Sequence, residues 1–310
     1  MKCVIVGVFD VPGSTSIPIN KALNSRGVDT VQFNYRELAA KYGWGRTNEL
    51  LVSNIVDYEP DFLLICKGNG ITQDTILECR KHTKVILWYM DAMKTAKSVR
   101  AADIASASDV CCVTSSDTFS YFLTVNRNTH LVLDGIDPGV YYPRDGAKKA
   151  YDVSFIGSRN DRREKFIDTL RSAGIDVHVF GNGWGGGSMN HHPVIDDGFR
   201  KVVHSSKINL NIKHFDDLTG ISNRVLRIMG SGGFLLSEYI DDLSYWFSGL
   251  DHLTFRDVGE AIEIIRSSIY DDAAGDFRRS IECNAANIVH TKYGWGDTID
   301  SLLHYYKEIG

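Results

Sequence analysis

Thr219-Gly-Ile-Ser-Asn-Arg-Val-Leu-Arg-Ile-Met-Gly-Ser-Gly-Gly-Phe-Leu-Leu-Ser-Glu238 compresses one repeat of an α/β fold into a single short stretch. A polar opening (Ser222, Asn223, Arg224) leads into a brief helical run, a Gly-Ser-Gly-Gly break follows, and Phe234-Leu-Leu reads as a strand. In an α/β protein, a helix that begins beside the carboxyl ends of parallel strands aims its free N–H groups into the crevice where anions bind. Asn223 and Arg224 stand at that mouth.

The same grammar runs outward on both sides. Tyr151-Asp-Val-Ser-Phe-Ile is a strand, Gly157-Ser158-Arg-Asn a loop, and residues 161–173 a helix with Arg162 and Arg163 in its first turn. Basic residues there oppose the helix dipole; a nearby anion accounts for them, and so does plain surface solvation. Residues 174–180 form a strand ending in Gly181-Asn182-Gly183-Trp184-Gly-Gly-Gly-Ser, where glycine lets backbone N–H groups approach a ligand. Helix 199–206 and strand 207–213 lead into the quoted stretch. Short elements follow at 243–247 and 253–255, then helices at 259–268, 276–290 and 298–309, the last set to pack back towards the first half.

In that first half the continuous apolar run Cys3–Phe9 is the mark of a strand buried on both faces of a parallel sheet. Its loop carries Gly13-Ser14-Thr-Ser, which can cradle an acceptor or a phosphate, although no Walker-spaced lysine follows and a plain loop reads equally well. Strands at 28–33, 60–66, 84–90, 110–114 and 130–134 alternate with helices at 19–26, 48–58, 72–82, 101–108 and 118–125. Two of these strands end at Lys67 and Asp91, the edge where open sheets hold ligands. Turn-rich residues 135–146 place a domain boundary near 147, dividing the chain into 1–147 and 148–310.

Length and composition suit two globular domains: 310 residues, 43% hydrophobic, 24% charged. The net charge of −5 leaves no basic footprint for nucleic acid. Six scattered cysteines without a Cys-x-x-Cys pair read as reduced thiols. With no signal-peptide core at the amino terminus and no run of about 18 apolar residues, the expectation is a cytoplasmic protein without a membrane span. His191-His192 lack ligand spacing, the pairs Asp216-Asp217 and Asp241-Asp242 read as solvated, and no metal cofactor is expected.

The order of Pro60-Asp-Phe-Leu-Leu with Lys67-Gly, Trp88-Tyr-Met-Asp91, Gly135-Ile-Asp-Pro with Tyr142-Pro143, Phe155-Ile-Gly157-Ser, Phe180-Gly-Asn-Gly-Trp184, Ser206-Lys-Ile-Asn209-Leu-Asn211, Asn223-Arg224 and Gly232-Gly-Phe-Leu-Leu resembles the CgeB-type (spore-maturation-protein-like) glycosyltransferases. That resemblance implies the GT-B architecture, two Rossmann-like domains with parallel sheets facing across a cleft. It implies a nucleotide-sugar donor in the second half, lined by Gly157, Ser158, Gly181, Asn182, Gly183, Trp184, Asn211, Ser222, Asn223 and Arg224, and an acceptor in the first half, near Gly13, Ser14, Lys67 and Asp91. The acceptor class stays open among saccharide, protein and modified nucleobase. One departure stands out. Relatives commonly carry a ribose-binding glutamate three residues after the Arg224 position, often with another eight positions before that glutamate; here these places hold Arg227 and Thr219. A cation accepts no hydrogen bond from a diol. The ribose is then held elsewhere, with Glu238 a candidate, or the donor carries an extra anionic group, or donor binding is degraded.

Chemically, Arg224 with Ser222, Asn223 and Arg227 would stabilise the departing diphosphate without a metal, and Asp91 would deprotonate the acceptor hydroxyl in an inverting course or orient the acceptor in a retaining one. Two other readings compete: a catalytically silent binding module on the same fold, and a phage-type sugar transferase that modifies DNA or nucleotides. Two aromatic-glycine repeats, Tyr42-Gly-Trp-Gly and Tyr293-Gly-Trp-Gly, place Trp44 and Trp295 either on a carbohydrate platform or as buried anchors of their loops, and the anchor reading is favoured for Trp295.

Overall fold

The computed structural model describes residues 1–144, 146–247, 252–270 and 274–308; Asp145 of the linker and Ile309 of the last expected helix lie outside them. Two compact units are present: Met1–Gly135 with Trp295–Gly310, and Ile136–Gly294.

The first unit carries strands β1 (Lys2–Gly7), β2 (Asp29–Asn34), β3 (Phe62–Cys66), β4 (Lys84–Tyr89), β5 (Val110–Val113) and β6 (Thr129–Leu131), and helices α1 (Ser16–Ser25), α2 (Tyr35–Tyr58), α3 (Gln73–Cys79), α4 (Met93–Ser98), α5 (Ala101–Ala107) and α6 (Ser116–Leu123). All strand pairs are parallel, in the order β2-β1-β3-β4-β5-β6. The apolar runs follow from two-sided burial. Val4, Val6, Leu63, Ile65, Val85 and Leu87 share one face with Leu51, Ile55, Ile76 and Ile104 of α2, α3 and α5. The alternate residues Cys3, Ile5, Phe62, Leu64, Ile86 and Trp88 share the other with Ile19 and Leu23 of α1. That second face is completed by the C-terminal helix Trp295–Glu308, whose Trp295 meets Trp88 edge-on at 6.1 Å and whose Tyr306 lies 5.0 Å from Phe62.

The second unit has strands β7 (Tyr151–Ile156), β8 (Val177–Phe180), β9 (Asn190–His191), β10 (Ser206–Asn211), β11 (Leu235–Glu238) and β12 (Leu253–Phe255), parallel in the order β12-β11-β10-β7-β8-β9. Its helices are α7 (Asp161–Ser172), α8 (Asp196–Ser205), α9 (Asn223–Gly230), α10 (Asp241–Trp246), α11 (Val258–Tyr270) and α12 (Ala274–Lys292). Val153, Phe155, Ile208 and Leu210 pack with Ile167 and Leu170 of α7 and Ile265 of α11. The alternate positions are polar and satisfy one another: Ser154 Oγ donates to Asn209 Oδ1 at 3.1 Å, and Asn211 Nδ2 to Ser237 Oγ at 2.9 Å. Helices α8 and α9 close so tightly here that a Cβ on Gly233 would lie 2.3 Å from Val203.

Several expectations need correction. Helix α2 begins at Tyr35, not near residue 48; Gly43, at φ 80° and ψ 162°, kinks it, and this break with Gly45 hides the first half from a periodicity reading. Helix α4 and the two-residue edge strand β9 were not anticipated. The units change over at Gly135/Ile136, ahead of residue 147, because Ile136 donates its N–H to Tyr293 O at 2.9 Å and Tyr141 packs edge-on against Phe199 at 5.8 Å. Asp242 is buried, so it is not the solvated carboxylate expected, whereas Asp216, although paired with Arg162, stays exposed, as do Asp217 and Asp241. Five of the six cysteines are buried free thiols, and Cys283 is exposed.

Removing the Trp295 side chain opens the face that the C-terminal helix closes. Trp295→Ala is expected to lower the stability of the first unit by about 3–5 kcal/mol, read as an earlier midpoint in urea unfolding; a change under about 1 kcal/mol would show that the helix is not part of that core.

Candidate functional site

In the second sheet the chain starts at β7, moves out through β8 and β9, then returns to lay β10, β11 and β12 on the other side. The carboxyl ends of β7 and β10 therefore flank the point where strand order reverses, and an open α/β sheet offers its ligand crevice there. Gly157 follows β7, Asn211 ends β10, and Arg224 sits in the first turn of α9.

Arg224 is the centre of this cluster. Its Nη1 donates to Asn211 Oδ1 at 2.9 Å and lies 3.4 Å from Ile212 O, and its guanidinium lies over the Phe155 ring, 4.8 Å from the centroid. A Cβ at position 157 would stand 2.7 Å from Arg224 Nη2, so the arginine occupies space that only glycine leaves open. Among the described residues no carboxylate pairs with Arg224, and the charges acting on it are Arg163 and Arg227. Burial, reinforced by those two cations, pushes its pKa down to about 9. A guanidinium keeps its proton in a protein, so the shift expresses the electrostatic cost of holding this cation without an anion.

The two arginines of α7 play different parts, and neither is a solvated surface residue. Arg163 is 5% exposed and spends its guanidinium on backbone carbonyls: Ser158 O and Ile212 O at 3.0 Å and Lys213 O at 3.3 Å. Burial pulls its pKa down to about 10, with Arg162 adding like charge. Arg162 forks onto Glu238 through Nη1 at 2.9 Å and Nη2, and its Nε bonds Asp216. Glu238 also accepts the Lys213 N–H at 3.0 Å. Glu238 thus enters the site as the counter-ion of Arg162, not as a free acceptor for a diol.

The remaining donor candidates divide by what holds them. Gly157 N donates to Phe180 O at 2.9 Å, and a Cβ on Gly181 would be 2.1 Å from Gly157 O, so these two glycines let the loops after β7 and β8 touch. Trp184 is buried, donates its indole N–H to Gly157 O at 2.7 Å and meets Phe155 edge-on at 6.0 Å; it braces the loop. Ser158 and Asn182 are exposed beside it, and Gly183 has φ 85°. Ser222 precedes α9 in extended conformation with Oγ 3.4 Å from Asn211 Oδ1, and Asn223 opens the helix half-exposed. Arg227, one turn on, lies over the Tyr141 ring at 5.3 Å. Thr219 buries its Oγ1 with no hydrogen-bond partner among the described residues.

One site residue escaped the sequence reading. His214, three residues past β10, accepts from Asn160 Nδ2 at 3.3 Å through Nδ1, which leaves Nε2–H as its donor. Asn160 is fixed in that orientation because its Oδ1 caps α7 at Arg163 N, 2.9 Å away. Partial desolvation, then Arg163 and Arg224, lower the His214 pKa. A lone histidine in a polar loop gives no sequence signal of this kind.

In the first sheet the order reverses between β1 and β3. A cavity of about 280 Å³ opens there, lined by Gly13, Ser14, Tyr35, Arg36 and Lys67 among others. Ser14 Oγ donates to Val8 O at 2.6 Å and curls the loop; Gly13 has φ 79°. Lys67, itself at φ 71°, donates to Asp91 Oδ1 at 2.7 Å. A second cavity of about 840 Å³ is lined by Lys149, Arg278, Glu282 and Gly232, at the amino ends of the second sheet's strands and away from the switch point. Among the described residues no three His, Cys, Asp or Glu side chains group to hold a metal, and no helix is long and apolar enough to cross a membrane.

With this geometry in view, comparison with known proteins is informative. The family model described as Glycosyl transferase-like matches residues 162–304, a span that takes in α9 and β11. Sucrose-phosphate synthase from Thermosynechococcus elongatus superposes with a TM-score of 0.75 at 12% identity, over 100% of this chain and 99% of that one. Anabaena HepE, in complex with UDP and glucose, gives 0.73 at 13% identity over 99% and 100%. AviGT4, a glycosyltransferase of avilamycin A biosynthesis, gives 0.65 at 12% identity over 100% and 98%. No curated protein matches by sequence. At these identities the likeness is one of fold, and the fold is the α/β GT-B glycosyltransferase fold expected from the sequence.

The buried Arg163 and the half-buried Arg224 make opposite predictions for the protein without nucleotide. Arg163→Met removes the side-chain donor of Ser158 O and weakens the bonding of Ile212 O and Lys213 O, which keep contacts to Arg224 and Arg162, and is expected to destabilise by about 1–3 kcal/mol. Arg224→Met removes an uncompensated cation and should leave stability unchanged or raise it by about 0.5–2 kcal/mol. Thermal denaturation of both variants decides; a loss in Arg224→Met as large as in Arg163→Met would mean that Arg224 is structural.

Proposed function

We propose that this protein is a metal-independent glycosyltransferase of the CgeB-like branch, acting in the cytoplasm, which moves a sugar from a nucleoside-diphosphate donor to an acceptor hydroxyl. The observation that carries the reading is Arg224: a half-buried cation with no acidic partner among the described residues, flanked by two further arginines, at the switch point and in the first turn of α9. A diphosphate supplies the missing charge, and the N–H groups of Asn223 and Arg224 add helix-terminal donors. As the bond between the anomeric carbon and the phosphate oxygen breaks, its electron pair goes to that oxygen, where Arg224 and these donors meet the growing charge. His214 Nε2–H is a further donor on the same edge.

The first unit supplies the acceptor side, with Gly13, Ser14 and Lys67 around their cavity and Asp91 as the candidate base. In an inverting course Asp91 takes the acceptor proton as the acceptor oxygen bonds the anomeric carbon; in a retaining course it orients the acceptor. Lys67 keeps one oxygen of Asp91 occupied and aims the carboxylate. UDP-glucose is the donor to try first, since UDP and glucose are bound in the HepE structure.

A second reading rests on a specific observation. Glu238 is held by Arg162, and Arg227 lies on Tyr141, so neither position offers a free carboxylate to a ribose. That favours a nucleotide-binding module without turnover, or a donor whose extra negative charge meets Arg227.

UDP at a hundredfold excess over its Kd should stabilise the protein by about 2.7 kcal/mol, seen as a rise in Tm, and Arg224→Ala should abolish the rise. Slow release of glucose from UDP-glucose, lost in the same variant, separates an enzyme from a silent module. Absence of any shift with a full panel of nucleoside diphosphates and sugar nucleotides would sink the proposal.

A further inference from the structure

The two aromatic-glycine repeats have opposite fates. Trp295 is 6% exposed, while Trp44 is 46% exposed and Tyr42 beside it 48%. An indole left this open is held in place by a built support. Gly43 breaks α2, and Asn48 then ties the kink to the loop after β3: its Nδ2 donates to Trp44 O at 2.8 Å and Gly70 O at 3.1 Å. Asn48 Oδ1 accepts from Thr72 N at 3.0 Å and Thr75 Oγ1 at 2.7 Å. A Cβ at position 70 would stand 2.4–2.6 Å from Cζ3, Cε3 and Cη2 of Trp44, so the six-membered ring rests against bare glycine backbone. Gly70 has φ 90°, a conformation that also selects glycine.

The same short loop carries the acceptor chemistry at its other end. Lys67, at φ 71°, reaches Asp91, Gly68 follows at φ 72°, and Asn69 buries its Oδ1 with no hydrogen-bond partner among the described residues. Such a run of left-handed backbone persists where surrounding structure holds it, commonly at ligand sites. Tyr35 links the two ends: it lines the 280 Å³ cavity beside Lys67, and its ring centroid is 6.2 Å from that of Trp44. A pyranose presents a flat C–H face and a rim of hydroxyls. The negative π-face of an indole suits the first, and carboxylate, amide and ammonium groups suit the second.

Resting on the reading of the protein as a glycosyltransferase, we propose that Trp44, braced on Gly70 beside the Lys67–Asp91 pair, is the stacking platform for a pyranose ring, so that the acceptor is a saccharide. Saturation-transfer NMR of the full chain with methyl glucoside, maltose, cellobiose and lactose tests this, with uridine and a short peptide as competing probes. At least one sugar should bind. Trp44→Ala should weaken that binding by roughly three- to tenfold, Trp44→Phe should restore most of it, and the UDP-dependent rise in Tm should persist in both, which also shows that they fold. Sugar binding unchanged in Trp44→Ala, no sugar binding by protein that responds to UDP, or Trp44-dependent binding of uridine or peptide instead, would each overturn the assignment. Failure of the glycosyltransferase reading would appear separately, as loss of the UDP response in the unmodified protein.

Discussion

The guanidinium of Arg224 lies on Phe155 in a space that exists only because residue 157 has no side chain. Much of the second unit's carboxyl edge answers to that one contact. Gly181 must also be bare for the β8 loop to reach Gly157, Trp184 then ties the loop down from above, and Arg163 fixes the carbonyls of residues 158, 212 and 213 that form the rim. A half-buried cation with like-charged neighbours is unfavourable until an anion arrives. Proteins keep such features where binding gains from them, since an electrostatic environment already in place needs no reorganisation when charge develops.

The fold was legible because its determinants are local and redundant. A strand buried on both faces must be apolar at every position, and Cys3–Val6, Phe62–Cys66 and Val85–Tyr89 show that as unbroken runs. Arg224 was legible for a related reason: a Ser-Asn-Arg opening before a helix in an α/β chain has one usual location. What did not show was anything decided by partners distant in sequence. Arg162 and Arg163 looked alike, yet one meets Glu238 and the other the carbonyls of residues 212 and 213. Glu238 looked free, and the residue that occupies it lies 76 positions earlier. The kink in α2 was invisible because two glycines erase the apolar period just where the helix turns to present Trp44.

The two sheets handle polarity differently. In the first unit both faces of the central strands are apolar, and the polar groups lie in loops at the carboxyl edge, where Lys67 and Gly70 adopt backbone conformations that the sheet itself does not need. In the second unit one face carries two hydrogen-bonded pairs, Ser154 with Asn209 and Asn211 with Ser237, and the second pair presents the amide oxygen that receives Arg224. A buried amide held in this way gives a directional mount. Asn211 is therefore aimed by the sheet, whereas Asp91 is aimed by a single ion pair.

The C-terminal helix belongs to the core of the first unit, and this bears on how the chain is made. Domains tend to fold in the order they are synthesised, but here the face bearing Ile5, Leu64 and Trp88 waits for Trp295, Ile299 and Leu302. The second unit, continuous in sequence from Ile136 to Gly294, has all its residues before the first has its own. The nascent chain thus carries an unfinished apolar sheet while residues 136–294 are made, and the helix Trp295–Glu308 acts as the latch on a sheet begun with β1.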